Sequence, residues 1–297
     1  MEDANVKFYD PYLKGIGQIM LQENSLTGLI FLFGIFLNSP LLALGLLIGT
    51  IVGTLTAQVL KYDRDNINSG LYGFNAALVG IAMLVFFHST VMVWIGIILL
   101  SALSTVLMNF CLQKKIPIFT FPFILLVWIA LYFFHNVAPV EPPTEEELAG
   151  LIPESFDLKN FGFGYGEVIF QGRFISGVLF MIAVYISNPN ASLYGMAGSF
   201  VATIFAYLLI DKFDAVQQGW FTFNAVLCAI TFSGLERKNG LYVLIAVFLS
   251  VVIENIMMDR GLIFLTFPFV LATWITLLIR DVLVKKAFTK AEPTYTA

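Results

Sequence analysis

The 297-residue chain is short of charge: Asp, Glu, Lys and Arg make up 12% of it against 59% hydrophobic residues, and the mean hydropathy is +0.86. Soluble domains carry about 25% charged residues, so a water-facing surface cannot be covered here and lipid is the expected solvent. Cysteine and histidine are also scarce, at two each. Cys111 and Cys228 stand alone inside apolar runs and read as small packing residues, against a disulfide or a metal site. With no nucleophile beside a base and no cluster of metal-ligating side chains, an intramembrane enzyme is not expected, and neither is a cofactor. The amino-terminal stretch MEDANVKFYDPYLKGIGQ lacks a cationic leader joined to a cleavable apolar segment, so no signal peptide is expected. A formal charge of −4 says little about partners, because the placement of Lys and Arg matters more in a membrane protein. Nucleic acid is not among the expected partners.

What the chain has in abundance is long apolar runs. Those at 41–60, 91–112, 116–135, 191–210, 241–257 and 262–279 each approach the ~20 residues that cross a hydrocarbon core. Two further pairs, 25–37 with 174–187 and 70–87 with 219–234, are shorter or richer in glycine and polar residues, as helices facing other helices or a pore would be. The reading is an all-α polytopic membrane protein of about ten crossings, with the lipid bilayer as its environment.

The pattern occurs twice. SLTGLIFLFGIFLNSPL at 25–41 parallels FISGVLFMIAVYISNPN at 174–190, with Gly28 matching Gly177 at a shift of 149. GLYGFNAALVGI at 70–81 parallels GWFTFNAVLCAI at 219–230 at the same shift, and IPIFTFPF at 116–123 parallels LIFLTFPF at 262–269 at a shift of 146. Three blocks in one order predict a duplication: a first half at 1–140, an acidic, Pro-rich linker at 141–158, and a second half at 159–297. With both termini cytoplasmic and five crossings per half, twelve of the sixteen Lys and Arg fall on the cytoplasmic side, the asymmetry that sets topology. An odd number of crossings per half makes the halves inverted, an arrangement that places a transport site between repeats at the bilayer midplane.

Three repeated features bear on chemistry. YLKGIGQIMLQ at 12–22 and FGYGEVIFQ at 163–171 are too short to span, and are expected either as half-membrane helices or as helices on the membrane surface. They bring Gln18 and Glu167, also 149 apart, near apolar runs, where the two would meet at a shared axis. Pro122 and Pro268 inside apolar segments predict kinks that free backbone carbonyls, while Thr120 and Thr266 would line a pore or bond back to their own helices. Phe74 with Leu78, and Phe223 with Leu227, make i, i+4 stripes that read as core or, beside Asn75 and Asn224, as two facing rings framing a flat slot. Such a slot suits a small, flat, neutral molecule whose edge donates hydrogen bonds to a row of acceptors.

These blocks resemble the urea transporter family over nearly the full length. The family's signature, roughly L-P-x-x-T-x-P-F, is matched at 116–123 and 262–269, its G-L-x-G-[FY]-N element at 70–75 and 219–224, and its G-x-G-[QE]-[VI] element at 15–19 and 164–168. Ile263 stands in place of the first proline of the second signature, and Thr222 in place of a glycine. The resemblance implies ten spanning helices plus two re-entrant pore helices, a homotrimer with one pore per protomer, and urea as the permeant. It further implies that Gln18 and Glu167 flank the ends of a filter, that Phe74 and Phe223 form phenyl slots, that Leu21, Leu78, Val168, Phe170 and Leu227 form the apolar wall, and that Thr120 and Thr266 form the constriction between two urea sites. A passive channel in a plasma membrane, bacterial inner membrane by expectation, follows.

Other small-solute transporters fit less well. An ammonium channel is expected to carry a pair of pore histidines, whereas His88 and His135 lie at segment ends. A water channel would carry two Asn-Pro-Ala-like turns, and only Asn188-Pro189-Asn190 is present. A proton-coupled or pH-gated transporter of urea or a small amide is the alternative, resting on Glu167 and Glu254 as intramembrane carboxylates. Glu254 has Thr105 as its counterpart and reads as a structural hydrogen bonder.

Overall fold

The computed structural model describes residues 7–144, 147, 163–212, 215–216 and 219–291, with side chains to residue 282. Among these residues the chain is helical and holds no strand. All ten expected apolar runs carry a helix: α2 (Ser25–Asn38), α3 (Pro40–Val59), α5 (Phe74–Phe86), α6 (Val91–Gln113), α7 (Phe121–Asn136), α9 (Phe174–Ser187), α10 (Pro189–Leu209), α11 (Phe223–Phe232), α12 (Arg237–Asp259) and α13 (Phe267–Ala291). The two short glycine-bearing pieces are helical too, as α1 (Asp10–Gly17) with a 3-10 turn at Gln18–Met20, and as α8 (Phe163–Glu167); α4 (Arg64–Asn68) is a single connecting turn.

The helices fall into two length classes. At 1.5 Å per residue, α3, α6, α10 and α12, with 20 to 23 residues each, match a hydrocarbon core about 30 Å thick. By contrast α5, α7, α9 and α11 have 10 to 16 residues, too few to cross it alone. The segment Asp10–Met20 meets α2 at 75°, a bend that makes the pair one broken span or a re-entrant loop. Among the described residues four helices are both long and apolar enough to span, or five with the bent pair counted as one, where the sequence suggests about ten crossings; α13, at 25 residues, has the length as well. Local breaks shorten α2, α5, α7, α9 and α11.

Those breaks are written in cap residues. Asn24 accepts a hydrogen bond from Thr27 N to start α2, and Ser39 does the same for Leu42 N with Pro40 in the first turn of α3. Asn188 and Pro189 repeat this at α10, where Asn188 Oδ1 accepts from Ala191 N at 3.1 Å. The Asn-Pro-Asn stretch is thus a helix start.

Small residues bring α3 onto α5. A Cβ added at Gly80 would collide with the carbonyl of Gly45, so the two backbones approach as only glycine allows. Large apolar side chains such as Leu29, Phe33 and Phe36 on α2, or Ile95 and Leu99 on α6, point outward, as a surface solvated by hydrocarbon permits. Residues of the two sequence-matched regions touch directly: Thr27 Oγ1 donates to the Ala183 carbonyl at 2.7 Å, and the rings of Phe31 and Phe180, which occupy matching positions, lie 5.0 Å apart. Of the linker at 141–158, residues 141–144 and 147 are described and the rest lie outside the described residues. Glu147 packs against the end of α5, where partial burial works against its charge but hydrogen bonds from Thr144, His88 and Ser89 hold its carboxyl below the usual range.

Candidate functional site

Two of the cavities among the described residues are bordered by the expected site residues. The smaller, about 230 Å³, is bordered by Gln18, Leu21, Phe74, Phe119 and Thr120; the larger, about 550 Å³, by Glu167, Val168, Phe170, Phe223 and Thr266. Thr120 Oγ1 and Thr266 Oγ1 lie 2.7 Å apart in hydrogen-bond contact. Since each threonine borders one cavity, the hydroxyl pair is the meeting point of the two. Both side chains are almost completely buried, and their hydrogen bond runs to each other rather than back along their own helices.

The chain reaches this point through backbone that ordinary residues avoid. Phe119 (φ 51°) and Leu265 (φ 48°) are left-handed, as are Leu21 (φ 57°) and Phe170 (φ 56°) at the ends of the short helices. Each such residue costs on the order of 1–2 kcal/mol when it carries a Cβ, and persists only where its surroundings hold it. Asn75 and Asn224 supply the hold at the threonines. Asn75 Nδ2 donates to the Phe119 carbonyl at 3.1 Å while its Oδ1 accepts from Phe123 N at 3.1 Å. Asn224 does the same for the Leu265 carbonyl (3.4 Å) and Phe269 N (3.2 Å). One carboxamide thus satisfies a carbonyl before the threonine and a helix-start N–H after it. Leu21 and Phe170 have a matching device: buried Gln22 and Gln171 fold back to donate to the carbonyls of Met20 (2.8 Å) and Ile169 (3.1 Å).

The prolines act differently from the kinks expected of them. Pro122 and Pro268 sit at the very start of α7 and α13, where no intrahelical N–H is needed, so they begin helices instead of bending them. The ends that face the threonine pair are therefore helix N-termini, rich in N–H donors, and the carbonyls belong to the turns before them. Gln18 and Glu167 also depart from expectation. They border different cavities and do not meet; residues of matching position that do meet are Thr120 with Thr266 and Phe31 with Phe180. Gln18 Nε2 is fixed on the Ser69 carbonyl at 3.0 Å, while Glu167 Oε2 has no hydrogen-bond partner.

Phe74 and Phe223 likewise line separate cavities, so they do not face each other. Phe223 instead lies near parallel to Phe264, at 6.1 Å and 24°. Leu78 and Leu227 are fully buried without bordering either cavity, while Leu21, Val168 and Phe170 do border one. Glu254 is buried outside both cavities: its Oε2 accepts from Asn224 Nδ2 at 3.0 Å and its Oε1 is unpaired. In the first half the same amide faces Met108 Sδ at 3.8 Å. His88 and His135 are occupied at segment ends, by Glu147 and by the Leu131 carbonyl. Sequence reasoning gave Asn75 and Asn224 no structural task and passed over Gln22 and Gln171, although all four repeat at a shift of 149.

The family profile described as urea transporter matches residues 9–281. Among characterised proteins, Urea transporter 1 of Ovis aries is 29% identical over 92% of this chain and 77% of its own length. Urea transporter 1 of Rattus norvegicus is 31% identical over 77% of this chain and 64% of its own. The profile covers the α1 bend, both Phe-Asn elements and both threonine turns described above, and this chain belongs to the urea transporter family of integral membrane proteins.

Proposed function

We propose that the chain is a passive channel through which urea moves down its gradient, the two cavities serving as vestibules and the Thr120–Thr266 pair as the throat between them. The observation that carries this reading is the placement of two neutral hydroxyls, in mutual contact, where two mostly apolar cavities meet in a member of this family. Urea is planar and uncharged. Its in-plane amide hydrogens need acceptors to replace lost water, and an unmade hydrogen bond in an apolar setting costs roughly a few kcal/mol.

In this scheme Gln18 and Glu167 stand toward the two mouths, and Phe74 and Phe223 give the flat walls, with Leu21, Val168 and Phe170 beside them. Leu78 and Leu227 back those walls from within the core. A bare cation would find no comparable solvation, and binding at each step must stay weak for flux to be fast. We further propose that the halves are inverted, with about ten crossings and two re-entrant helices; contacts between matching residues, Phe31 with Phe180 and Thr120 with Thr266, support a local two-fold relation. Cytoplasmic termini, a bacterial inner membrane and a homotrimer complete the proposal.

Stopped-flow light scattering on proteoliposomes, with and without a pH gradient, tests it. Fast, non-concentrative urea flux indifferent to the gradient is the expected result. Flux that follows the proton gradient, or none from folded protein, would overturn the channel reading.

A further inference from the structure

Two tryptophans of matching position reach across between the halves in the same way. Trp128 Nε1 on α7 donates to the Ile263 carbonyl at 2.7 Å, and Trp274 Nε1 on α13 donates to the Pro117 carbonyl at 2.6 Å. Trp128 also packs on the ring of Phe267 (5.4 Å, 51°), and Trp274 on the ring of Phe121 (5.5 Å, 54°). Each indole therefore holds the turn of the other half on both sides of its threonine. Trp128 touches the residues three before and one after Thr266, and Trp274 the residues three before and one after Thr120.

These turns carry the left-handed Phe119 and Leu265, and nothing in a strained turn fixes its own height relative to a turn on another helix. The asparagines cannot do so: Asn75 holds the turn of its own half, and Asn224 that of its own. Among the described residues, hydrogen bonds from a helix of one half to the backbone of the opposite threonine turn come from the indoles, beside a ring contact of Phe269 on Phe119 (5.4 Å), and a short N–H to carbonyl bond from a rigid bicyclic ring fixes distance and direction together. Ile263, which replaces a proline of the family signature, leaves this contact unaltered because the acceptor is a backbone carbonyl.

We propose that Trp128 and Trp274 are positioning residues for the throat: a reciprocal clasp that sets the separation of Thr120 from Thr266 and thereby the size of solute that passes. This rests on the channel reading above. Neither indole belongs to the set of residues assigned to the pore wall, and each acts through the threonine of the opposite half.

The test is permeability to urea and to N-methylurea, per folded protein in proteoliposomes, for the wild-type chain and for Trp128→Phe, Trp274→Phe and the double variant. Phenylalanine keeps an aromatic ring and removes the N–H. The expected result is a shift of the N-methylurea to urea ratio by roughly threefold or more, the scale of one neutral hydrogen bond. On a Thr266→Val background the Trp128→Phe shift should shrink, since the clasp acts through that hydroxyl. Unchanged ratios, or equal shifts on both backgrounds, would overturn the proposal while leaving urea permeation intact. A wild-type protein that passes no urea would overturn the channel reading and this inference with it. Should the phenylalanine variants misfold, site-specific 3-benzothienylalanine, which keeps the bicyclic shape and lacks only the N–H, gives the same two outcomes.

Discussion

Thr120 and Thr266, 146 residues apart in the chain, share a single hydrogen bond between their side-chain oxygens at 2.7 Å. Replacing one by valine keeps the shape and leaves the other hydroxyl buried and unpaired. Thr120→Val is expected to slow urea flux several-fold and to destabilise the fold by about 1–2 kcal/mol, with the protein still folded. Stopped-flow flux paired with a thermal melt in detergent reads both; wild-type flux would make the pair purely structural.

Glu167 borders the larger cavity, and one of its carboxylate oxygens is buried without a hydrogen-bond partner. An amide of the same shape removes no hydrogen bond of that oxygen, so Glu167→Gln should retain most of the flux at neutral pH. A loss of more than about tenfold, about 1.4 kcal/mol in barrier, would assign the charge a role in permeation.

Phe223 forms one wall of that cavity against Phe264. Its truncation to alanine removes the flat face and should raise the permeability of bulkier amides relative to urea. Identical ratios for thiourea, acetamide and urea in Phe223→Ala and wild type would remove the slot from the mechanism.

Asn75 is buried and satisfies two backbone groups around a left-handed residue. Asn75→Leu leaves the Phe119 carbonyl and the Phe123 N–H unpaired, each worth roughly 1–3 kcal/mol. The expected result is the largest drop in melting temperature among these variants, with flux lost. Glu254→Gln, by contrast, keeps an acceptor for Asn224 Nδ2 and should melt near the wild-type temperature and conduct without a pH gradient.

Much of this arrangement can be read from residue spacing. Each apolar run carries a helix, because hydrophobic length is a direct demand of the bilayer, but the bounds shift by several residues where turns before Phe74, Phe121, Phe223 and Phe267 start the helices late. Thr120 and Thr266 are legible as a doubled hydroxyl inside a doubled motif. The positions of the prolines are not, since a proline reads alike as a kink or a helix start until the preceding turn is seen. Which residues meet is equally hidden: Gln18 and Glu167 share the spacing that makes Phe31 and Phe180 touch, and repetition alone does not say which pairs lie close to one another. The tryptophans carried a readable signal, a Pro-Phe step followed after four residues by Trp at both Pro122 to Trp128 and Pro268 to Trp274. Their reach into the opposite half had no trace in the sequence, because the acceptors are backbone carbonyls.

The two cavities differ more than twofold in volume, about 230 against 550 Å³, and differ in the polar residue that borders each, an amide anchored on the Ser69 carbonyl against a carboxylate with one buried, unpartnered oxygen. If the two cavities are the ends of the proposed pore, this inequality allows unequal half-saturation for solute arriving from the two sides. For a pore without an energy source, microscopic reversibility still requires the ratio of maximal flux to half-saturating concentration to be the same in both directions. In the passive channel proposed above, the asymmetry can therefore shape how the protein saturates, but it cannot make it a valve: whichever side the wide cavity faces, net flux follows the gradient and never produces accumulation.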